Sequence, residues 1–326
     1  MKTHRFATSN LIQAAQLLRD GELVAFPTET VYGLGANAMS PTAVDKIYVA
    51  KGRPSDNPLI VHLSGPEDVG SIASEVPAIA KELMRRFWPG ALTLVLPKRS
   101  DVPSRVTAGL DTVAVRIPNN PVALELIQLA GVPIAAPSAN RSGRPSATTW
   151  QAVAEDLDGR VAGIVCGEPT RFGLESTVVD VTSNPPRILR PGSVSLEDLK
   201  LVAANIQPYM LSASSSSQSP ANSPGLKHQH YQPRAKVIIL NSTSSFDSYL
   251  NLNVKRPHYI GLCSLSNSAP FQTVLLCENA SEYAAKLFDF FRQADLANAD
   301  LVCCESVPEV GIGVALMDRL RRASQS

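Results

Sequence analysis

The chain has 326 residues, 30 Lys and Arg against 29 Asp and Glu, a formal net charge of +1, and 44% hydrophobic residues. This length can bury a substantial core, and the composition excludes a disordered chain. Balanced charge argues against a protein that coats nucleic acid electrostatically, and no apolar run approaches the roughly 18 residues of a membrane span. Residues 1–10 lack the apolar stretch of a signal peptide, so a soluble cytoplasmic protein is expected.

Asn10 is placed to cap a first helix with Leu11, Ala14, Ala15, Leu17 and Leu18 on its apolar face, ended by Gly21. A strand follows at 23–26. Ser40-Pro41 opens a helix to about residue 50, with Pro in the first turn. Strands are predicted at 59–63, 92–96, 112–117 and 132–136, with helices at 77–87 and 121–130, the latter capped by Asn120. Thr148 or Thr149 caps the next helix. Short strands at 163–166, 177–181 and 187–189 precede Ser195-Leu-Glu-Asp198, a capping box with Asp in place of Glu. The strands are not separated by helices throughout, which predicts a mixed sheet.

The stretch 211–225 holds seven serines in fifteen residues and no charge, and reads as a linker. The expected division is a first α/β domain at 1–205, a linker at 206–235, and a smaller α/β domain at 236–326. Residues 1–205 carry 20 basic and 20 acidic side chains, whereas 206–235 carry two basic and none acidic. The second domain reads as strands at 236–240, 259–263, 273–277 and 301–305, with helices at 280–294 and 313–322. The odd number of cysteines, five, with Cys303 and Cys304 adjacent and no C-x-x-C, favours buried reduced thiols.

No phosphate-loop or dinucleotide fingerprint is present, and Gly33-Leu-Gly35 reads as a turn after a strand. Polar groups instead collect at predicted strand ends, where open α/β sheets place ligands. Thr28, Glu29, Thr30 and Tyr32 follow the strand at 23–26. Lys51 and Arg53 leave a helix end broken by Gly52 and Pro54, and offer a point charge and a planar fork suited to a polyphosphate. Asn57 and His62 come next. Arg116 ends an apolar strand and needs an anionic partner. Ser138 and Asn140 are two apart in extended chain and so share a side. Glu175-Ser176-Thr177 and Arg190 complete the set. No Ser or Cys nucleophile has an obvious His/Asp pair, which favours binding of a polyanion and a small zwitterion over a hydrolytic triad. Arg319, Arg321 and Arg322 read as a solvated helix end.

The ordered motifs PTETVYGLG, KGRP with NPLIVH, PSAN with its following SG-P-S, STVVD and RPG resemble the YrdC-like domain of L-threonylcarbamoyladenylate synthases. The segment SPGLKHQHYQP at 223–233 resembles the linker motif of the long, two-domain form. Ala299-Asp-Leu, Gly311-Ile-Gly and Met317-Asp-Arg-Leu resemble its C-terminal domain.

The resemblance implies a twisted mixed YrdC-like sheet and a Rossmann-like C-terminal domain. It implies that L-threonine, bicarbonate and ATP give threonylcarbamoyl-AMP and pyrophosphate, and that a separate threonylcarbamoyl-transferase system passes the group to the adenosine beside the anticodon of tRNA. Carried over, Lys51 and Arg53 would hold ATP phosphates, assisted by Asn57 and Arg190. Asn140, Thr148 and Thr112 would contact the nucleotide. Thr30, His62, Arg116, Ser138 and Ser176 would hold threonine. Mg would be bound mainly through the phosphates. Tyr231 would close over the nucleotide as part of a lid. An RNA-binding module, with direct RNA contact, and carbamoyl transfer in hydrogenase maturation stay open as other readings. The balanced charge weighs against the first; the lack of a Cys-rich zinc region and an acylphosphatase-like segment weighs against the second.

Overall fold

Strands that alternate between two kinds of cover shape this molecule. The computed structural model describes residues 2–210, 231–241, 254–264 and 271–325. Ten strands come first: β1 His4–Ala7, β2 Val24–Phe26, β3 Gly33–Asn37, β4 Ile60–His62, β5 Leu92–Pro97, β6 Thr112–Arg116, β7 Ile134–Ala135, β8 Gly163–Cys166, β9 Thr177–Asp180 and β10 Arg187–Arg190. Between them lie α1 Ile12–Arg19, α2 Pro41–Lys51, α3 Ala78–Phe87, α4 Ser104–Thr107, α5 Pro121–Ala130 and α6 Trp150–Leu157, with α7 Leu196–Lys200 after β10. The strands form one sheet in the order β1-β8-β2-β3-β7-β4-β6-β5-β9-β10. It is mixed, as expected: β4 runs parallel to β6 but antiparallel to β7.

One face carries Ala25, Leu34, Val61, Leu94, Val115 and Val179, packed in the main core with Val44 and Ile47 of α2, Leu83 of α3 and Val153 of α6. The opposite face is covered only in part. Val24, Phe26 and Ile134 pack against α1 and α5 through Leu18, Leu126 and Ile127. Beyond β7 the cover stops, and Ile60, Val95, Ala114 and Val178 form a small separate apolar floor. The part of the sheet that α1 and α5 do not reach positions the site.

Most local signals act as predicted. Ser40 and Asn120 cap α2 and α5 with their side chains, each followed by Pro. Thr149, not Thr148, caps α6. Ser195 and Asp198 form the reciprocal capping box. Asn10 does not cap α1: the cap is Leu11, and the Asn10 N–H bonds back to the Ala7 carbonyl at 3.2 Å, closing a turn after β1. Gly33-Leu-Gly35 is strand β3 and not a turn. A Cβ at Gly35 would lie 2.9 Å from both Phe26 and Ile134, so the glycine lets β3 pass between two large side chains.

The second sheet is wholly parallel, in the order β11-β14-β12-β13, with β11 Lys236–Leu240, β12 Pro257–Gly261, β13 Thr273–Leu276 and β14 Leu301–Glu305. Helices α8 Ala280–Leu296 and α9 Ile312–Ser324 cover one face through Tyr283, Leu287, Phe291, Leu316 and Leu320. The same cluster takes in Val31, Leu174 and Tyr231, so apolar packing is continuous from this sheet's helices to the cleft of the first. Strand alternation sends Cys303 and Cys304 to opposite faces, where both are buried. Cys277 is buried too, but Cys166 is half-buried and Cys263, on the loop after β12, is exposed. No helix among the described residues is long and apolar enough to cross a membrane.

Candidate active site

Because β4 is antiparallel to β7 and parallel to β6, the end of β7 lies beside the start of β4, and the end of β6 lies beside the end of β4. Ala136 N bonds to Ile60 O at 2.9 Å, while Arg116 pairs in register with His62. The polar groups therefore do not gather along one edge. They line one cleft that crosses β4.

At the start of β4 stand Lys51 and Arg53. Lys51 is the last residue of α2, and Gly52, at φ 62°, caps the helix in the left-handed region. This turns Arg53 toward the strand, where its Nη2 donates to the carbonyls of Asn57 and Pro58, each at 3.3 Å. Lys51 Nζ donates to the carbonyls of Ser138 and Asn140, pinning the KGR turn to the SAN segment. Burial, with Arg53 beside it, pulls the Lys51 ammonium well below the ordinary lysine value. Burial also draws Arg53 down to about 10. An anion entering here would reverse both effects. Arg53 Nε and Asn140 Oδ1 are shielded from solvent and have no hydrogen-bond partner among the described residues.

At the other end stands Arg116, 3% exposed. Its Nη1 donates to Thr30 Oγ1 at 2.8 Å and its Nε to the Gly90 carbonyl at 3.1 Å. Its Nη2 lies 2.7 Å from Glu29 Oε1, which supplies the anionic partner that a buried arginine requires. His62 faces the edge of Phe26, and burial with Arg116 nearby lowers its pKa to about 3, so the ring is neutral. Ser176 shares a hydrogen bond with Thr93 at 2.8 Å and receives Arg190, whose Nη2 donates to the Ser176 carbonyl at 2.9 Å.

Lys51, Arg53, Asn140, Arg190, Tyr231, Thr30, His62, Arg116, Ser138 and Ser176 all line this one cleft. Three further residues singled out in the sequence do not. Asn57 is fully buried beside it and presents its carbonyl to Arg53. Thr148 is buried with its carbonyl accepting from Thr170 N at 2.9 Å. Thr112 begins β6 opposite Pro97, on the same face as Arg116 by alternation but at the strand's far end.

Arg144 is a lining residue that the sequence reading does not mark, and Ser142 and Ser146 enter that reading only through the SG-P-S motif. Ser142, Arg144 and Ser146 continue the two-residue spacing of Ser138 and Asn140 along the same wall. The chain turns at Gly143, φ 87°, so strand alternation does not reach these residues, and the SG-P-S motif is the sequence signal for Ser142 and Ser146. Glu175 lines the cleft as well, accepting from Ser146 Oγ and from Arg319 Nε of α9. Arg319 is therefore no solvated helix end: it is fully buried, Arg322 pairs with Asp318, and Arg321 pairs with Glu309.

Of the linker motif, Tyr231 to Pro233 lie within the described residues, whereas residues 211–230, with His228 and His230, lie outside them. Tyr231 has φ 70°, is 5% exposed and stacks on Phe288 at 5.1 Å. Among the described residues no group of three or more His, Cys, Asp or Glu side chains is arranged to hold a metal ion.

Comparison with known proteins fits this arrangement. Residues 16–192 match the Sua5/YciO/YrdC family model, described as telomere recombination, and residues 194–325 match the model of the threonylcarbamoyl-AMP synthase C-terminal domain. The chain belongs to the threonylcarbamoyl-AMP synthase family. It is 44% identical to the threonylcarbamoyl-AMP synthase of Pyrococcus abyssi, over 95% of this chain and 93% of that one. It is 46% identical to the Bacillus subtilis synthase, over 96% and 92%. A crystal structure of P. abyssi Sua5 complexed with L-threonine superposes with a TM-score of 0.91 at 43% identity, covering 99% of this chain and 98% of that one. The chain is thus a nucleotidyltransferase-type enzyme that converts L-threonine, bicarbonate and ATP to threonylcarbamoyl-AMP and pyrophosphate, for threonylcarbamoyladenosine formation in tRNA.

Proposed function

We propose that the two ends of β4 divide the substrates of this synthase between them. Arg116 and Thr30, with His62, Ser138 and Ser176, hold L-threonine, and Arg116 takes its carboxylate. Lys51 and Arg53, with Arg190 assisting, hold the phosphates of MgATP, the metal riding on the phosphates in the absence of a carboxylate cage. Asn140 contacts the nucleotide, and Tyr231 covers it. Asn57 acts by fixing Arg53 through its carbonyl. Thr112 and Thr148 lie outside the cleft lining, and their contact with the nucleotide stays part of the proposal.

The single observation that carries the reading is the separation of cations along β4. Arg116 is already paired with Glu29, which suits a monoanionic carboxylate joining a half-neutralised site. The hydrogen bonds of Lys51 and Arg53 go to neutral backbone carbonyls, and a polyphosphate would bring negative charge directly to both.

The chemistry then follows. The threonine amine and bicarbonate give a carbamate with loss of water. A carbamate oxygen bonds to the α-phosphorus as the bond from that phosphorus to the oxygen bridging to the β-phosphate breaks, and pyrophosphate leaves with the electron pair. A carbamate is already an anionic oxygen nucleophile, so the protein's part is positioning and charge neutralisation. The neutral His62 adds a hydrogen-bonding group without a second cation beside Arg116.

The product passes to a separate threonylcarbamoyl-transferase system that modifies tRNA. Omission of threonine, bicarbonate or ATP, each in turn, from a pyrophosphate-release assay tests the reading. Release must require all three; release that persists without threonine overturns it.

A further inference from the structure

Arg319 lies 144 residues beyond Glu175 in the chain and is the largest fully buried side chain among the described residues. A guanidinium with no exposure has to be matched donor by donor. Its Nε bonds to Glu175 Oε2 at 2.9 Å, its Nη2 to the Pro191 carbonyl at 3.0 Å, and its Nη1 to Asp318 Oδ2 at 2.6 Å. Its carbon centre also lies 5.3 Å from the centroid of the Tyr231 ring.

These contacts fall on both sides of the β9–β10 hairpin at the cleft. Glu175 precedes Ser176, and Pro191 follows Arg190; the two cleft residues are themselves joined by the Arg190 to Ser176 hydrogen bonds. Tyr231 is held from two directions by the C-terminal helices, by Phe288 of α8 and by Arg319 of α9. Burial alone would raise the Glu175 carboxyl, yet Arg319 and Arg190 hold it below its ordinary value, so the pair is charged as well as close.

We propose that Arg319 is a positioning residue for adenylate formation: from the C-terminal helix α9 it fixes the Ser176–Arg190 wall and the closed place of Tyr231 in the cleft. The inference rests on the substrate reading above. It gives the C-terminal unit a definite part in the reaction, since the wall and cover of a site formed by residues 28–190 are completed from residue 319. The guanidinium acts through its neighbours and does not touch the reacting atoms.

The test uses the full chain with Arg319→Met, Arg319→Lys, Arg319→Met/Glu175→Gln and, as a comparator, Tyr209→Phe, which removes a hydroxyl from Asp318 outside the cleft. Melting temperature, threonine-dependent pyrophosphate release, KM for threonine and the fraction of product appearing as AMP are measured for each. Arg319→Met is expected to fold, to lower kcat about tenfold or more, a typical loss for a misplaced site, to change KM for threonine less than kcat, and to raise the AMP fraction as water reaches the product. Arg319→Lys recovers part of kcat. Glu175→Gln in the Arg319→Met background removes a buried carboxylate that has lost its closest cation, so it recovers melting temperature but not kcat. Tyr209→Phe keeps kcat.

A folded Arg319→Met with parental kcat overturns the proposal, as does recovery of kcat by Glu175→Gln. Unfolding of Arg319→Met and Arg319→Lys alike also overturns it, by assigning the arginine to the interface alone. Failure of the parental chain to need threonine would instead reject the substrate reading on which the inference rests.

Discussion

Arg116 and Glu29 form a buried ion pair, Nη2 to Oε1 at 2.7 Å, with both side chains no more than 6% exposed. Removing one partner of such a pair strands the other charge, which typically costs about 3–5 kcal/mol. Arg116→Met is therefore expected to lower stability by that order in denaturant unfolding. Arg116→Met combined with Glu29→Gln should recover most of the loss, because no unpaired charge is left inside. A double variant no more stable than the single one would show that Glu29 is not the partner that matters.

His62 supplies a pH prediction. Its pKa in the folded chain is lowered to about 3 from 6.5. Between those values the unfolded chain binds the proton and the folded chain does not, so stability rises with pH across that window. The contribution is whole above pH 6.5 and is lost as pH falls toward 3. His62→Gln should flatten this part of the dependence of melting temperature on pH. An imidazole that titrates near 6.5 by NMR in the folded chain would contradict the assignment.

These two residues also show what the sequence could and could not say. Arg116 at the end of an apolar strand announced a need for an anion, because burial of an unpaired guanidinium is so costly. Which anion was beyond reach, since Glu29 is 87 positions away, between β2 and β3, and only the folded sheet brings it near. Capping at Ser40, Asn120 and Ser195 was legible because each cap depends on a few adjacent residues. Strand β1 was not, because only Phe6 of its four residues turns inward. Strand β3 was hidden by glycines that packing requires and propensity disfavours. The cover given by Arg319 was missed for the same reason as Glu29: basic residues in a helix's last turns usually face water, and the carboxylate that buries this one comes from a different sheet.

Gly52 has φ 62° and nothing within 4 Å of a would-be Cβ. Gly52→Ala therefore tests backbone strain without steric conflict, and should cost about 1–2 kcal/mol for a left-handed non-glycine residue. The strain acts on the turn that aims Lys51 and Arg53, so KM for ATP should rise while KM for threonine holds. Isothermal titration and steady-state kinetics on the same sample check both parts; equal change in both constants would argue against a local effect.

Tyr231 occupies a left-handed backbone conformation and stacks on Phe288. Tyr231→Ala is expected to leave the first sheet folded, to lower adenylate formation by up to about 100-fold, the scale of a lost positioning contact, and to raise the share of AMP. Circular dichroism with quantitation of AMP and adenylate checks this. An unchanged rate would show that the ring over the cleft is dispensable.

The two ends of β4 are proposed to serve different substrates. The most direct measurement is the pair of Michaelis constants, for threonine and for ATP, in Arg53→Met and in Arg116→Met/Glu29→Gln, with pyrophosphate release as the signal. A crossed result is expected: the Arg53 variant raises KM for ATP far more than for threonine, and the Arg116 variant does the reverse. Equal losses for both substrates in both variants would contradict it.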